Sequence, residues 1–142
     1  MNNTKFNKTP DYLSILGAKV TPQCNDIEEA VLGAIMLEKE KQQEVFDIIP
    51  NAECFYKDSH QKIYSAIQEL SVRGSVVDLL TVTQHLISKN ELEYVGGAYG
   101  ITMIANSVLT SAHVEDHAKI IMEKYMKREL IKSAGKIGRA HV

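Results

Sequence analysis

From Asn25 onward the apolar residues recur with a helical period. Ile27, Ala30, Val31, Ala34 and Ile35 stand at i, i+3, i+4, i+7 and i+8, one stripe of an amphipathic helix. Asn25 is placed to accept from the free amides of the first turn, and Glu28 to reach back to it, as in a capping box. A second helix is predicted over Glu40 to Ile49, burying Val45, Phe46, Ile48 and Ile49, and Pro50 ends it by withholding an amide donor. Asp58 and Gln61, at capping spacing, open a third whose stripe is Ile63, Tyr64, Ile67 and Leu70; Gly74 suits the left-handed turn after it. Asp78 caps a fourth, short helix with Leu79, Val82 and Leu86 facing inward, fraying among the turn-formers Ser88 to Asn90. Gly96-Gly97 opens a fifth, carrying Tyr99, Met103 and Ile104 at helical spacing. Ser111, preferred to Thr110, caps a long stretch through Ala134, with Glu115 and Asp116 near the positive end of its dipole and Lys127, Arg128 and Lys132 toward the negative end. Only Val76-Val77 resembles a strand, so the pattern predicts an all-α fold of five to six helices.

The last of these segments is too apolar for one buried stripe. Ile120, Ile121, Met122, Tyr125, Met126, Leu130, Ile131 and Ala134 wrap round it, so a second surface must pack on its far side unless the helix is the centre of its own core. Wide exposed apolar surface marks an interface, which makes Met126, Leu130, Ile131 and Ala134 the candidate interface residues. Gly33 interrupts a strong helix where Ala would cost less, so a close approach of another backbone is expected there.

Composition narrows the chemistry. A chain of 142 residues, 44% hydrophobic, supports one folded domain with its own core. Residues 1–23 are polar, include Pro10 and Pro22, and read as a flexible arm; 24–110 read as the helical core and 111–136 as the long helix. Sixteen Lys and Arg against eighteen Asp and Glu disfavour a domain that grips phosphate backbones unaided. Cys24 and Cys54 show no C-x-x-C spacing, and no signal peptide or membrane-length apolar run is present, so a cytoplasmic protein without membrane contact is expected. His113 and His117 stand one turn apart with Glu115 and Asp116 between them. A metalloprotease helix needs Glu directly after its first His, where Val114 stands, so solvated histidines are expected and no metal site. His60 and His85 default to core or surface histidines. Gly96, Gly97 and Gly100 lack the strand before and the Gly-Lys-Ser/Thr ending of a phosphate loop, and no nucleophile elbow occurs. No catalytic residue and no cofactor-binding residue is expected.

Three stretches carry a resemblance. The first is Asp26-Ile27-Glu28-Glu29-Ala30-Val31-Leu32-Gly33-Ala34-Ile35-Met36-Leu37. The second runs from Phe55-Tyr56 through His60, Ile63, Tyr64, Ala66-Ile67 and Leu70 to Gly74, then Val77 to Val82. The third joins Val95-Gly96-Gly97, Tyr99, Ile104-Ala105-Asn106, Val108, Ser111-Ala112, Glu115, Ala118, Ile120-Ile121, Arg128 and Leu130-Ile131. In order and at this spacing they resemble the amino-terminal domain of the DnaB family of bacterial replicative DNA helicases, departing from it where Ser111-Ala112-His113-Val114 replaces a common S-A-A-N word. The resemblance implies a collar domain whose last helix is the first arm of a helical hairpin. It implies self-association into a hexameric ring, primase as a partner, and DNA engaged through a motor domain that uses ATP and Mg. On this reading the chain stops before the motor and is not itself an enzyme. Residues 137–142, Ile-Gly-Arg-Ala-His-Val, read as the one-frame translation of a common sequencing adapter, a tail foreign to the domain. The alternative reading is a free-standing helical DNA-binding regulator with a helix-turn-helix between His60 and Asn90.

Overall fold

The computed structural model describes residue 21, residues 23–107 and residues 111–140, the last four for their backbone alone. The remainder of the predicted arm, Val108 to Thr110 and the last two residues of the predicted tail lie outside the described residues. Among those described there are six α-helices and no strand: α1 (Asn25–Leu37), α2 (Glu40–Ile48), α3 (Asp58–Val72), α4 (Leu79–Ser88), α5 (Gly97–Ala105) and α6 (Val114–Ala140). Two 3-10 turns, Ala52–Cys54 and Glu93–Val95, join α2 to α3 and α4 to α5. The fold is all-α. The Val76-Val77 pair is not a strand: Val77 is buried and its carbonyl accepts from Gln42, whose amide also reaches the Ile35 carbonyl at 2.8 Å.

Helix α1 sits at the centre, packed against α2, α3, α5 and α6, while α4 closes over α3 and α5. That position explains its burial. Every residue from Val31 to Met36 is buried, a full turn and a half rather than the single stripe that the periodicity predicts, because neighbours cover it on several sides. The aromatic centre is Tyr64, tilted against Phe55 at 4.7 Å between ring centroids, and its hydroxyl donates to the Ile49 carbonyl at 2.7 Å. A buried phenol needs such a partner, and this one ties α3 to the end of α2.

Helix ends follow local chemistry at the start of α4 and after α3. At α4, Thr81 N–H donates to Asp78 Oδ1 and Asp78 N–H donates to Thr81 Oγ1, both at 2.9 Å, a capping box that the sequence half-predicts through Asp78. Gly74 turns the chain after α3 at φ 75°. The other capping expectations fail: Asp58, like Asn25, is the first residue of its helix, and no side chain caps α3. Asn25 is the first residue of α1 rather than its cap, and its Oδ1 has no hydrogen-bond partner among the described residues. Glu28 turns away from its own helix start, because His60 on α3 and the backbone amides just ahead of that helix claim its carboxylate. Ser111 does not cap α6 either: its hydroxyl donates to Glu38 Oε1, and the helix begins at Val114 and continues past Ala134 to Ala140.

Candidate functional site

The last helix divides along its length. Val114, Ala118 and Ile121, spaced i, i+4 and i+7, are buried, with Met122 and Tyr125 half-covered beside them. This inner stripe lies on α1 and α2. Farther along, Met126 is 60% and Leu130 58% exposed, one turn apart on the same face, while Ile131 and Ala134 are half-buried. The four candidate interface residues therefore do not form one uniform surface. Met126 and Leu130 face solvent, whereas Ile131 lines a cleft of about 490 Å³ walled by Glu53, Tyr56, Tyr125, Arg128 and Glu129. The flanking charges pair within the helix, Lys127 with Glu123 and Lys132 with Glu129, and leave the apolar stripe between them uncovered.

Arg128 is the polar link between distal α6 and the core. Its guanidinium donates to the Cys54 carbonyl at 3.0 Å and lies 5.2 Å from the Tyr56 ring centroid and 5.8 Å from that of Tyr125. Tyr125 adds a hydroxyl donated to Glu53 at 3.2 Å. Both tethers end on the turn between α2 and α3.

Gly33 faces the backbone of α5 at close range. A Cβ at this position would lie 2.5 Å from the Ile104 carbonyl oxygen and 3.3 Å from that of Ala105. Backbone cannot move aside as a flexible side chain can.

Sequence reasoning missed a buried polar junction. Glu28 and His60 are almost fully buried, and Glu28 Oε1 meets His60 Nδ1 at 2.7 Å. Glu28 also accepts from the Tyr56 amide at 2.6 Å and the Lys57 amide at 3.5 Å, so a carboxylate from α1 satisfies free N–H groups ahead of α3. His60 Nε2 has no hydrogen-bond partner among the described residues; Glu29 Oε2 stands 3.6 Å away. A signal existed. Glu28 falls in register with Val31, Leu32 and Ile35, and a carboxylate on a buried stripe must find donors elsewhere in the fold.

The other chemistry-bearing residues are dispersed. His113 and His117 have ring centroids 6.4 Å apart, and no cluster of three or more metal-ligating side chains occurs among the described residues. Burial, then the Glu28 carboxylate, pushes the Cys24 thiol up to about 11, and burial likewise raises Cys54, so neither is primed as a thiolate nucleophile. Glu69 is held below its ordinary range by a hydrogen bond from His85 at 2.7 Å and by Lys89. No helix among the described residues is long and apolar enough to cross a membrane. Tyr99 and Met103, on the helical spacing of α5, point outward at 75% and 52% exposure, and Ile101, Ile104 and Ala105 form its buried face.

This helical arrangement has solved and sequenced counterparts. Over 84% of this chain and 86% of the other, it superposes with a TM-score of 0.81 and 30% identity on the N-terminal domain of DnaB helicase from Mycobacterium tuberculosis. The chain is 46% identical over 121 residues to the replicative DNA helicase DnaC of Bacillus subtilis, covering 84% of this chain and 26% of that protein. It is 39% identical over 124 residues to the replicative DNA helicase DnaB of Geobacillus stearothermophilus, covering 87% and 27% respectively. The chain thus spans about a quarter of the length of these relatives. The model of the DnaB-like helicase N-terminal domain matches residues 20–123, which takes in α1 to α5 and the buried half of α6, and the chain belongs to that family.

Proposed function

We propose that this domain is the assembly and primase-docking module of a replicative DNA helicase, with Met126, Leu130 and Ala134 of distal α6 as its contact face and Ile131 beside it. The carrying observation is the division of α6: its inner stripe is consumed by the core while two large apolar side chains farther along face water. Exposed apolar surface on a helix already anchored elsewhere gains by being covered, about 25 cal/mol per Å² removed from water. On this reading residues 24–110 are the folded core and 111–136 the arm of a helical hairpin that joins domains into a ring. Strand separation driven by ATP and Mg belongs to a motor outside this domain, and the protein works in the cytoplasm.

Sedimentation velocity over a concentration series tests the self-association, and titration with the cognate primase tests the docking. Concentration-dependent association that Leu130→Glu abolishes supports the proposal. A chain that stays monomeric at hundreds of micromolar and binds no primase overturns it. A free-standing DNA-binding regulator predicts instead tight, salt-sensitive binding of duplex DNA. The structure offers it little: Lys89 is tied to Glu69 and Glu91, and Arg73 lies 3.3 Å from His85.

A further inference from the structure

We propose that Tyr56 and Arg128 form a clamp, braced from inside by Glu28, that holds the distal half of α6 at a fixed angle to the core. Only its consequence for assembly rests on the function proposed above.

Past Tyr125 the helix has no fully buried large side chain among the described residues, and a helix end that lacks a packed face gains little from propensity alone. Something other than apolar burial must hold it. Arg128 is placed to do so, since its planar guanidinium spends one N–H on the Cys54 carbonyl and lies near the rings of Tyr56 and Tyr125. Tyr56 itself is 39% exposed, so its side chain is not anchored in the core. Its backbone is fixed instead by the 2.6 Å bond from its amide to Glu28, and Glu28 is locked by His60 at 2.7 Å. A continuous set of contacts thus runs from the buried pair through the Tyr56 backbone and ring to Arg128. Two to three residues either side of Arg128 lie Met126, Leu130 and Ile131, so the clamp decides whether that face is presented as a rigid surface or as a fraying end.

Amide hydrogen exchange on the full chain tests this, comparing Lys127–Ser133 with Glu115–Ile121 in the same molecule. Arg128→Ala and Tyr56→Ala are expected to speed exchange over 127–133 about tenfold or more and to leave 115–121 within about twofold. Tyr56→Phe, which keeps the ring face, is expected to match the unmodified chain. Glu28→Gln, which weakens the brace without removing its shape, is expected to speed the distal segment by less than Arg128→Ala does. The proposal is overturned if Arg128→Ala leaves 127–133 unchanged, or if it speeds both segments equally, which would make Arg128 an ordinary contributor to global stability. Sedimentation of the same variants keeps the two ideas apart. Loosened exchange in a chain that never associates upholds the clamp and removes the assembly role, whereas unchanged exchange with association intact removes the clamp alone.

Discussion

Between Val114 and Ile121 the last helix buries three side chains against α1 and α2, whereas between Met126 and Leu130 it turns two large apolar side chains to solvent and is held by an arginine and a tyrosine. The proximal half is stabilised by apolar burial, which is insensitive to direction and strong. The distal half is stabilised by a few oriented polar contacts, each worth on the order of 1 kcal/mol. One continuous helix can therefore anchor at one end and present a surface at the other. Substitutions in the two halves should separate cleanly into effects on folding and effects on association.

The largest effect is expected on the anchoring side, at the crossing that α1 makes with α5. Gly33→Leu has to push a side chain into the Ile104 carbonyl, so it is expected to cost at least about 3 kcal/mol, at or beyond the upper end for overpacking. Urea denaturation measures it; a cost below about 1 kcal/mol would mean that α1 and α5 separate easily. A direct comparison of the halves comes next. Ile121→Ala is expected to destabilise by about 3 kcal/mol, as a fully buried isoleucine does, and Leu130→Ala by less than about 0.5 kcal/mol while weakening self-association. Equal costs at both positions would erase the distinction between anchor and surface. Asp78→Ala, away from α6, removes the side chain that caps α4 and should cost about 1 kcal/mol without changing association.

The smallest effect is electrostatic. Glu69 is depressed below its ordinary value of 4.5, so its stabilising contribution is complete above that pH and is lost as the pH falls through its folded value. The side chain is about half exposed, and solvent screening keeps the contribution small. Glu69→Gln should lower the melting temperature slightly near neutrality, and the difference from the unmodified chain should shrink as the pH falls from about 4.5 toward 3. A variant that differs equally at pH 7 and pH 3.5 would show a packing role instead.

Much of this was legible in the chain itself. The starts and ends of the helices near Pro50, Gly74, Asp78 and Gly96-Gly97 were fixed locally, because a missing donor, a positive φ or a side-chain cap acts over a few residues. The excess apolar character of the last helix was equally visible, since periodicity reports how many faces need covering. Tertiary structure alone decided what covers them. It buried Val31 to Met36 of α1 all round where one stripe was expected, turned Tyr99 and Met103 outward, and sent Ile131 to a cleft apart from Met126 and Leu130. It also took Glu28 and Ser111 from their expected capping roles and gave them to α3 and to Glu38. The physical reason is competition for donors and acceptors. A local cap contributes about 1 kcal/mol, while leaving a buried histidine or amide without its carboxylate costs more, so partners distant in sequence prevail wherever the fold brings them within reach.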